Sequence, residues 1–297
     1  MQKQYYSRRL SISEITLQDR EFILELVNTP EWIRFIGERN VKTEEAAIAY
    51  IQKLLDNPNI TYWVIKLKEE QTPIGVISFI KRDYLQHYDI GFALLAAYSK
   101  KGYAFEAVSA VLDDLVKDPT HTHILATTIK ENNNSIRLIE KLGLRFVNEF
   151  NLDKDCLAVY SVTTDQLAVN LLTHRFYNLF TNKDPQKPDW DTMPSLCLPT
   201  IQIIKKAQQT EEVYDLRSFI APRQKILSDG TLTDFEEYET ASETRVAGRI
   251  AHRFSNYEKK GNLNGVYFQT KGHKLFQYVK TPAGWKISSV IWEDETV

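Results

Sequence analysis

The stretch YDIGFALLAAYSKKGYAFEAV, residues 88–108, reads in three parts. Its first seven residues alternate as a strand, with Asp89, Gly91 and Ala93 on one face and Tyr88, Ile90 and Phe92 on the other. From Ala104 onward, Ala104, Val108, Val111, Leu112 and Leu115 form one helical stripe. Between them lie small residues and the run Ser99-Lys100-Lys101-Gly102. Strand, short loop, glycine and helix start make the geometry of an anion seat. The first turn of a helix leaves N–H groups without intrahelical partners, at the positive end of its dipole. A pyrophosphate accepts several of them at once. Gly102 permits close approach of the backbone, Ala104 keeps the first turn narrow, and Lys100 and Lys101 add charge. A solvated Lys-Lys-Gly turn ahead of an amphipathic helix fits the same residues.

Working outward, LSISEI reads as a short strand, and Thr16 precedes a helical run to about Val27. EWIRFIGE is a second short helix after Pro30, and TEEAAIAYIQKLLDN a third, capped by Thr43. TYWVIKLK and PIGVISFIKR are strands; the second is apolar on both faces, as a covered central strand is. Downstream, HILATTIK is a strand and NNSIRLIEKLG a helix ended by Gly143, followed by the strands RFVNEF and CLAVYSV. Strand and helix alternate up to about Thr163.

The pattern then changes. A helix runs from Asp165 to about Phe180, with Ala168, Leu172, Phe176 and Leu179 on one side. TNKDPQKPDWD is a turn-rich break, and TEEVYDLRSFIAPRQKIL reads as mostly helical, with a turn or kink at Pro222. From Thr231 the segments LTDFEEYETAS, TRVAGRIAHRFSNYE, GVYFQTKGHKLFQYVKT and GWKISSVIWE are strand-like, with turns at KKGNLN and TPAG. Helices followed by long antiparallel strands predict a separate α+β domain.

Bulk composition agrees with two domains in 297 residues. With 37 basic and 39 acidic residues, neither half carries the basic excess of a general nucleic-acid binder, and no nucleic-acid or anionic-membrane partner is expected. The two cysteines, Cys156 and Cys197, form no disulfide scaffold or CxxC motif. The amino-terminal residues lack an apolar signal core, and no run reaches the ~18 apolar residues of a membrane span. The expectation is a cytoplasmic protein. His121 and His123 flank Thr122 at a spacing that can hold a metal, but no acidic partner is near, and surface histidines are the simpler reading.

The stretch 88–108, followed after a strand by ENNNSIRLIEKLGLRF (131–146), resembles the GNAT acetyltransferase superfamily, and most of all its ribosomal-protein N-acetyltransferase branch. Asn132, Ser135, Ile136, Arg137, Glu140, Lys141, Leu142 and Gly143 carry the second motif. The resemblance implies an α/β fold, a mixed central sheet with flanking helices, over residues 8–163. It implies acetyl-CoA bound between two splayed central strands. Backbone groups around Phe92, Leu94 and Ala96 would meet pantetheine. The N–H groups of Lys100, Lys101, Gly102, Tyr103 and Ala104 would hold the pyrophosphate, and Asn132 would orient the pantetheine arm or the acceptor. Ser99 and Lys100 depart from the usual loop residues, one of which is glycine, and Leu144 stands where the family often has Phe.

Acetyl transfer to a small-molecule or protein amine needs a base for the amine, a donor for the carbonyl oxygen and an acid for the thiolate. Asp89 is the candidate base; the alternative is a partly exposed strand carboxylate without a role. A backbone N–H near Leu94 could serve the carbonyl oxygen. The position where many superfamily members carry an acidic tyrosine is Ile139 here, so Ser135 becomes the candidate acid; the alternative is a helix-terminal cap. No metal is required.

Residues 166–297 resemble the SnoaL-like, nuclear-transport-factor-two-like family, through HRFYNLF, DGTLTDFEEYE and GWKISSVIWE. This implies an α+β cone with a curved antiparallel sheet and an apolar pocket, lined from Tyr214, Phe219, Phe254, Tyr257, Phe268, Phe276, Trp285 and Trp292. Alternation sets Arg253 and Tyr257 opposite His252. The cone would bind the acceptor or pair in a homodimer. Two other readings stand beside the transferase: a CoA- or small-ligand-binding protein without turnover, and an isomerase- or hydrolyase-like activity in the cone with His252 as acid or base.

Overall fold

The structure, a computed structural model, describes residues 3–152, 155–183 and 187–295. The chain divides into two compact units, residues 1–167 and 168–297. No helix among the described residues is long and apolar enough to cross a membrane.

The first unit is built on an eight-stranded sheet. Its elements are β1 (Gln4–Tyr6), β2 (Leu10–Glu14), α1 (Arg20–Val27), α2 (Pro30–Phe35), α3 (Glu44–Leu55), β3 (Ile60–Leu67), β4 (Pro73–Ile80), β5 (Asp89–Leu94), α4 (Tyr103–Leu115), β6 (His123–Ile129), α5 (Asn133–Lys141), β7 (Arg145–Leu152) and β8 (Asp155–Thr163). The strand order is β1-β2-β3-β4-β5-β6-β8-β7. β4 is buried from Ile74 to Phe79, as its unbroken apolar run predicts. One face of the sheet packs on α1 and α3, through Ile23, Leu26, Ala47 and Ile51 against Val64 and Val76. Thr43 caps α3 by accepting from the Ala46 N–H, a bond whose loss typically costs about 1 kcal/mol.

The sheet is continuous except at one seam. β4 and β5 pair over the whole of β5, but parallel β5 and β6 share the single register pair Asp89↔Leu125. β6 then pairs fully with β8. Beyond Asp89 the two central strands part.

The second unit follows α6 (Thr164–Asn178), which carries the chain across the unit boundary. Its remaining elements are α7 (Met193–Leu196), β9 (Cys197–Ala207), β10 (Thr210–Tyr214), α8 (Leu216–Ser228), β11 (Leu232–Ala247), β12 (Ile250–Leu263), β13 (Val266–Thr281) and β14 (Gly284–Asp294). They form a six-stranded sheet in the order β10-β9-β14-β13-β12-β11. Its core joins Leu172 and Phe176 of α6 and Phe219 of α8 to Phe276, Ile287, Val290 and Trp292.

Several expectations for this unit need correction. The sheet is mixed, because β14 pairs with β9 in parallel. β9 itself was not anticipated, although Ile201 and Ile203 alternate into the core. Residues 210–214, expected to be helical, form strand β10, a largely exposed strand with no apolar alternation to reveal it. It is held as a hairpin on β9, with Lys206 paired to Glu211. TRVAGRIAHRFSNYE is not one strand: Gly248, at φ 59°, turns β11 into β12. The next turn sits at the very end of KKGNLN, at Asn264-Gly265, both at positive φ as a type I′ hairpin requires, and the residues before it continue β12. Pro222 neither ends α8 nor starts a turn. Arg223 donates to the Phe219 carbonyl in the weakened turn and lies 3.7 Å over the Phe219 ring.

Candidate active site

The seam leaves main-chain groups of β5 without a strand partner. Leu95 donates its N–H to Ile74 on the β4 side, whereas the Tyr88 carbonyl accepts from Leu125 on the β6 side. Alternation along the strand turns the peptide groups of Phe92 and Leu94 toward β6, where no ladder continues. Ala96 differs: it lies in the 3-10 turn Ala96–Tyr98 beyond the strand, and its carbonyl accepts from Ser99. Phe92 and Leu94 thus present strand peptide groups to the gap, whereas Ala96 lies beyond the strand.

The loop at the end of the seam is in left-handed backbone at two positions, Lys100 (φ 59°) and Gly102 (φ 81°). Gly102 is the N-cap of α4, with Tyr103 and Ala104 in the first turn. A non-glycine residue in this region costs roughly 1–2 kcal/mol. Lys100 adopts the left-handed conformation a glycine would take freely. Left-handed residues in a turn leading to a helix N-terminus gather N–H groups into an anion-binding concavity.

Asp89 sits where the strands part. It is buried, not partly exposed. The Arg82 side chain pairs with it at 2.6 Å, and the Thr127 hydroxyl lies 3.3 Å from both carboxylate oxygens. Burial pushes its carboxyl above the usual range, while Arg82 and Thr127 pull against that shift. Arg82 and Thr127 had no signal in the sequence, since neither is near Asp89 in a recognisable spacing. Gly91, on the same face, leaves room for Ser78: a Cβ there would lie 2.6 Å from the Ser78 hydroxyl.

Asn132 caps α5, accepting from the Ser135 N–H at 3.2 Å. Its carbonyl oxygen is thereby used, and its NH2 is the group left to reach a ligand. Ser135 is not the cap, and its half-buried hydroxyl makes no hydrogen bond among the described residues. Ile139 is core. His123 stacks on His87 at 4.7 Å and His121 meets Phe79 and Tyr88 edge-on, in a cleft of about 510 Å³ near the starts of β5 and β6. This cleft lies at the other end of the strands from the loop.

In the second unit, Arg253, Ser255 and Tyr257 face the interior, and His252 is exposed on the outer face with Phe254. His252 is therefore no interior acid or base, and Phe254 lines no interior pocket. The inner polar groups are paired: Lys274 with Glu237 at 2.7 Å, Arg253 with Glu239 and Asn170, Tyr177 with Ser255. Tyr257 crosses Gly272 to reach Asp294, and a Cβ at Gly272 would lie 2.6 Å from the Tyr257 hydroxyl oxygen.

Comparison with known proteins follows the first unit. Residues 9–145 match the Acetyltransferase (GNAT) domain family. The chain is 33% identical to the uncharacterized N-acetyltransferase YnaD of Bacillus subtilis (strain 168), over 47% of this chain and 81% of that protein. It is 28% identical to the uncharacterized N-acetyltransferase YoaA of the same organism, over 46% and 80%. In fold it is similar to a GCN5-related N-acetyltransferase from Brucella melitensis, with a TM-score of 0.50 at 15% identity, covering 59% of this chain and 86% of that one. With the parted central strands and the loop they lead to, these matches establish that the chain belongs to the GNAT acetyltransferase family and is an acetyl-CoA-dependent N-acetyltransferase.

Proposed function

We propose that the β5–β6 seam is where the acetyl group passes from acetyl-CoA to a primary amine. The observation that carries this is the single register pair at Asp89, which leaves the peptide groups of Phe92 and Leu94 facing a gap that ends at the Lys100–Ala104 loop. Phe92 and Leu94 bind the pantetheine amides as a strand would. Lys100, Lys101, Gly102, Tyr103 and Ala104 present N–H groups, and two ammonium charges, to the diphosphate. Asn132 donates its NH2 to the pantetheine arm. Asp89 takes a proton from the substrate ammonium, the freed amine attacks the thioester carbonyl to form the C–N bond, and Ser135 supplies the proton to sulfur as the C–S bond breaks. Arg82 and Thr127 hold the Asp89 carboxylate in place. A thiol-release assay with acetyl-CoA over a panel of small-molecule and peptide amines tests the reading. Turnover of any amine supports it, and absence of acetyl-CoA binding at millimolar concentration overturns it.

We propose further that the second unit is a SnoaL-like domain that pairs the chain into a homodimer. Its helix–hairpin–helix–four-strand order, with β9 parallel to β14, supports the resemblance. The interior is filled by packed rings, Phe176 against Phe276 at 5.4 Å among them, and by paired ions, which favours an assembly role over a ligand pocket. The outer face carries a row of apolar side chains in register across five strands: Phe254, Leu275, Ile291, Ile204 and Val213. Four of them are more than a third exposed. Light scattering behind a sizing column should report a dimer that Leu275→Glu converts to monomer; a monomeric parent chain contradicts the assignment.

A further inference from the structure

The loop after the seam is held from behind by one side chain. Arg9, just before β2, is 92 residues from Lys101 in sequence, yet its Nη1 donates to the Lys101 carbonyl at 3.0 Å. Its Nε donates to Glu106 Oε2 at 2.7 Å, and Nη2 pairs with the same oxygen at 2.7 Å. The guanidinium lies 4.3 Å over the Tyr103 ring. A Cβ on Gly102 would stand 3.4 Å from Arg9 Nη2, so the guanidinium lies directly behind the left-handed residue. Arg9 itself is fixed: its N–H donates to Glu106 Oε1 at 2.8 Å, and its carbonyl accepts from Lys68 at 2.9 Å. Glu106 is locked in turn by the Ser7 hydroxyl at 2.7 Å.

Geometry gives this clamp a direction. In a trans peptide the C=O and the following N–H point opposite ways. With the Lys101 carbonyl turned to Arg9, the Gly102 N–H is turned away from Arg9. The guanidinium charge is largely offset by Glu106, so the clamp works by orientation rather than by long-range attraction.

We infer that Arg9 is a positioning residue for acetyl-CoA binding, which aims the Gly102 N–H at the diphosphate by gripping the Lys101 carbonyl. This rests on the seam and loop as the acetyl-CoA site.

The test uses the full chain with acetyl-CoA and with S-acetylpantetheine, which has no diphosphate. Arg9→Met should raise KM for acetyl-CoA about tenfold or more, the worth of one well-aimed bond to a charged group, with kcat within about twofold. KM for S-acetylpantetheine should stay unchanged. Arg9→Lys keeps the charge but loses the fork, and should resemble Arg9→Met. Equal losses for both substrates would reduce Arg9 to a structural residue and overturn the inference, as would wild-type behaviour of Arg9→Lys. If the parent chain fails to bind acetyl-CoA, the site assignment falls first; if it binds and Arg9→Met binds equally well, only the inference falls.

Discussion

The two sheets of this protein differ most at one pair of seams. Between β12 and β13 the register runs unbroken from Ile250 to Leu263, and inward polar groups of both strands are paired, Lys274 of β13 with Glu237 of β11 and Ser255 of β12 with Tyr177 of α6. Between β5 and β6 a single pair holds the strands, and the peptide groups beyond it face a gap. The first seam is closed on itself and stabilises; the second is left open and ends at two left-handed residues. Unpaired main chain is costly in a folded protein, so a seam of this kind points to something that completes it.

The largest expected effect removes an ion pair of the closed sheet that reaches from β13 past β12 to β11. Lys274→Met leaves Glu237 buried without its partner, and should cost about 3–5 kcal/mol in urea unfolding of the second unit. Acetyl-CoA affinity should not change, because nothing in the open seam depends on that pair. Burial pushes the Lys274 ammonium pKa down. Its folded value lies below its unfolded one, so the pair's contribution falls as pH is lowered through that interval.

Next is the chemistry of the open seam. Asp89→Asn should lower kcat by about 100-fold or more, the usual worth of a general base, with a smaller change in KM for acetyl-CoA. The raised carboxyl of Asp89 implies that kcat falls with acidification at a pH above the ordinary carboxylate range. Stability has the opposite sign. The folded state keeps the proton longer than the unfolded one, so Asp89 contributes less as pH rises through that window. A kcat–pH profile that is flat down to pH 4 would remove Asp89 from the base role.

The loop comes third. Gly102→Trp should weaken acetyl-CoA binding more than tenfold in calorimetry, since a side chain at φ 81° is strained whatever the space around it. Smallest is Lys100→Gly, which relieves a left-handed lysine and should raise stability by up to about 1 kcal/mol. Affinity should fall by less than tenfold, because the N–H groups remain and Lys101 keeps its charge. A tenfold loss would assign the work to the lysine charge instead.

The open seam was far more legible in the sequence than the closed one. Residues 88–108 carry a strand period, a glycine and a helical stripe in fixed order, which sets Phe92 and Leu94 in a strand and Gly102 at a helix start, as the fold has them. The partners that hold the site could not be placed this way. Arg82 sits seven residues from Asp89 across a turn, and Arg9 reaches Lys101 only because β2 and α4 are neighbours in the fold. In the second unit the errors share one cause. β10 is exposed on both faces, so its pairing comes from the hairpin and not from burial. The Asn264-Gly265 turn carries a strong local signal, whereas the polar run from Lys259 that leads into it is still strand, held by pairing on both sides. His252 and Arg253 were separated correctly by alternation; which of them faces inward depends on where α6 packs, which alternation alone does not tell.

Amide hydrogen exchange on the full chain, with and without acetyl-CoA, tests the central claim most directly. The open seam as the acetyl-CoA site requires protection at Phe92, Leu94 and the Lys100–Ala104 loop, with β11 to β14 unchanged. Protection absent from residues 92–104, or centred on residues 232–294, would contradict it.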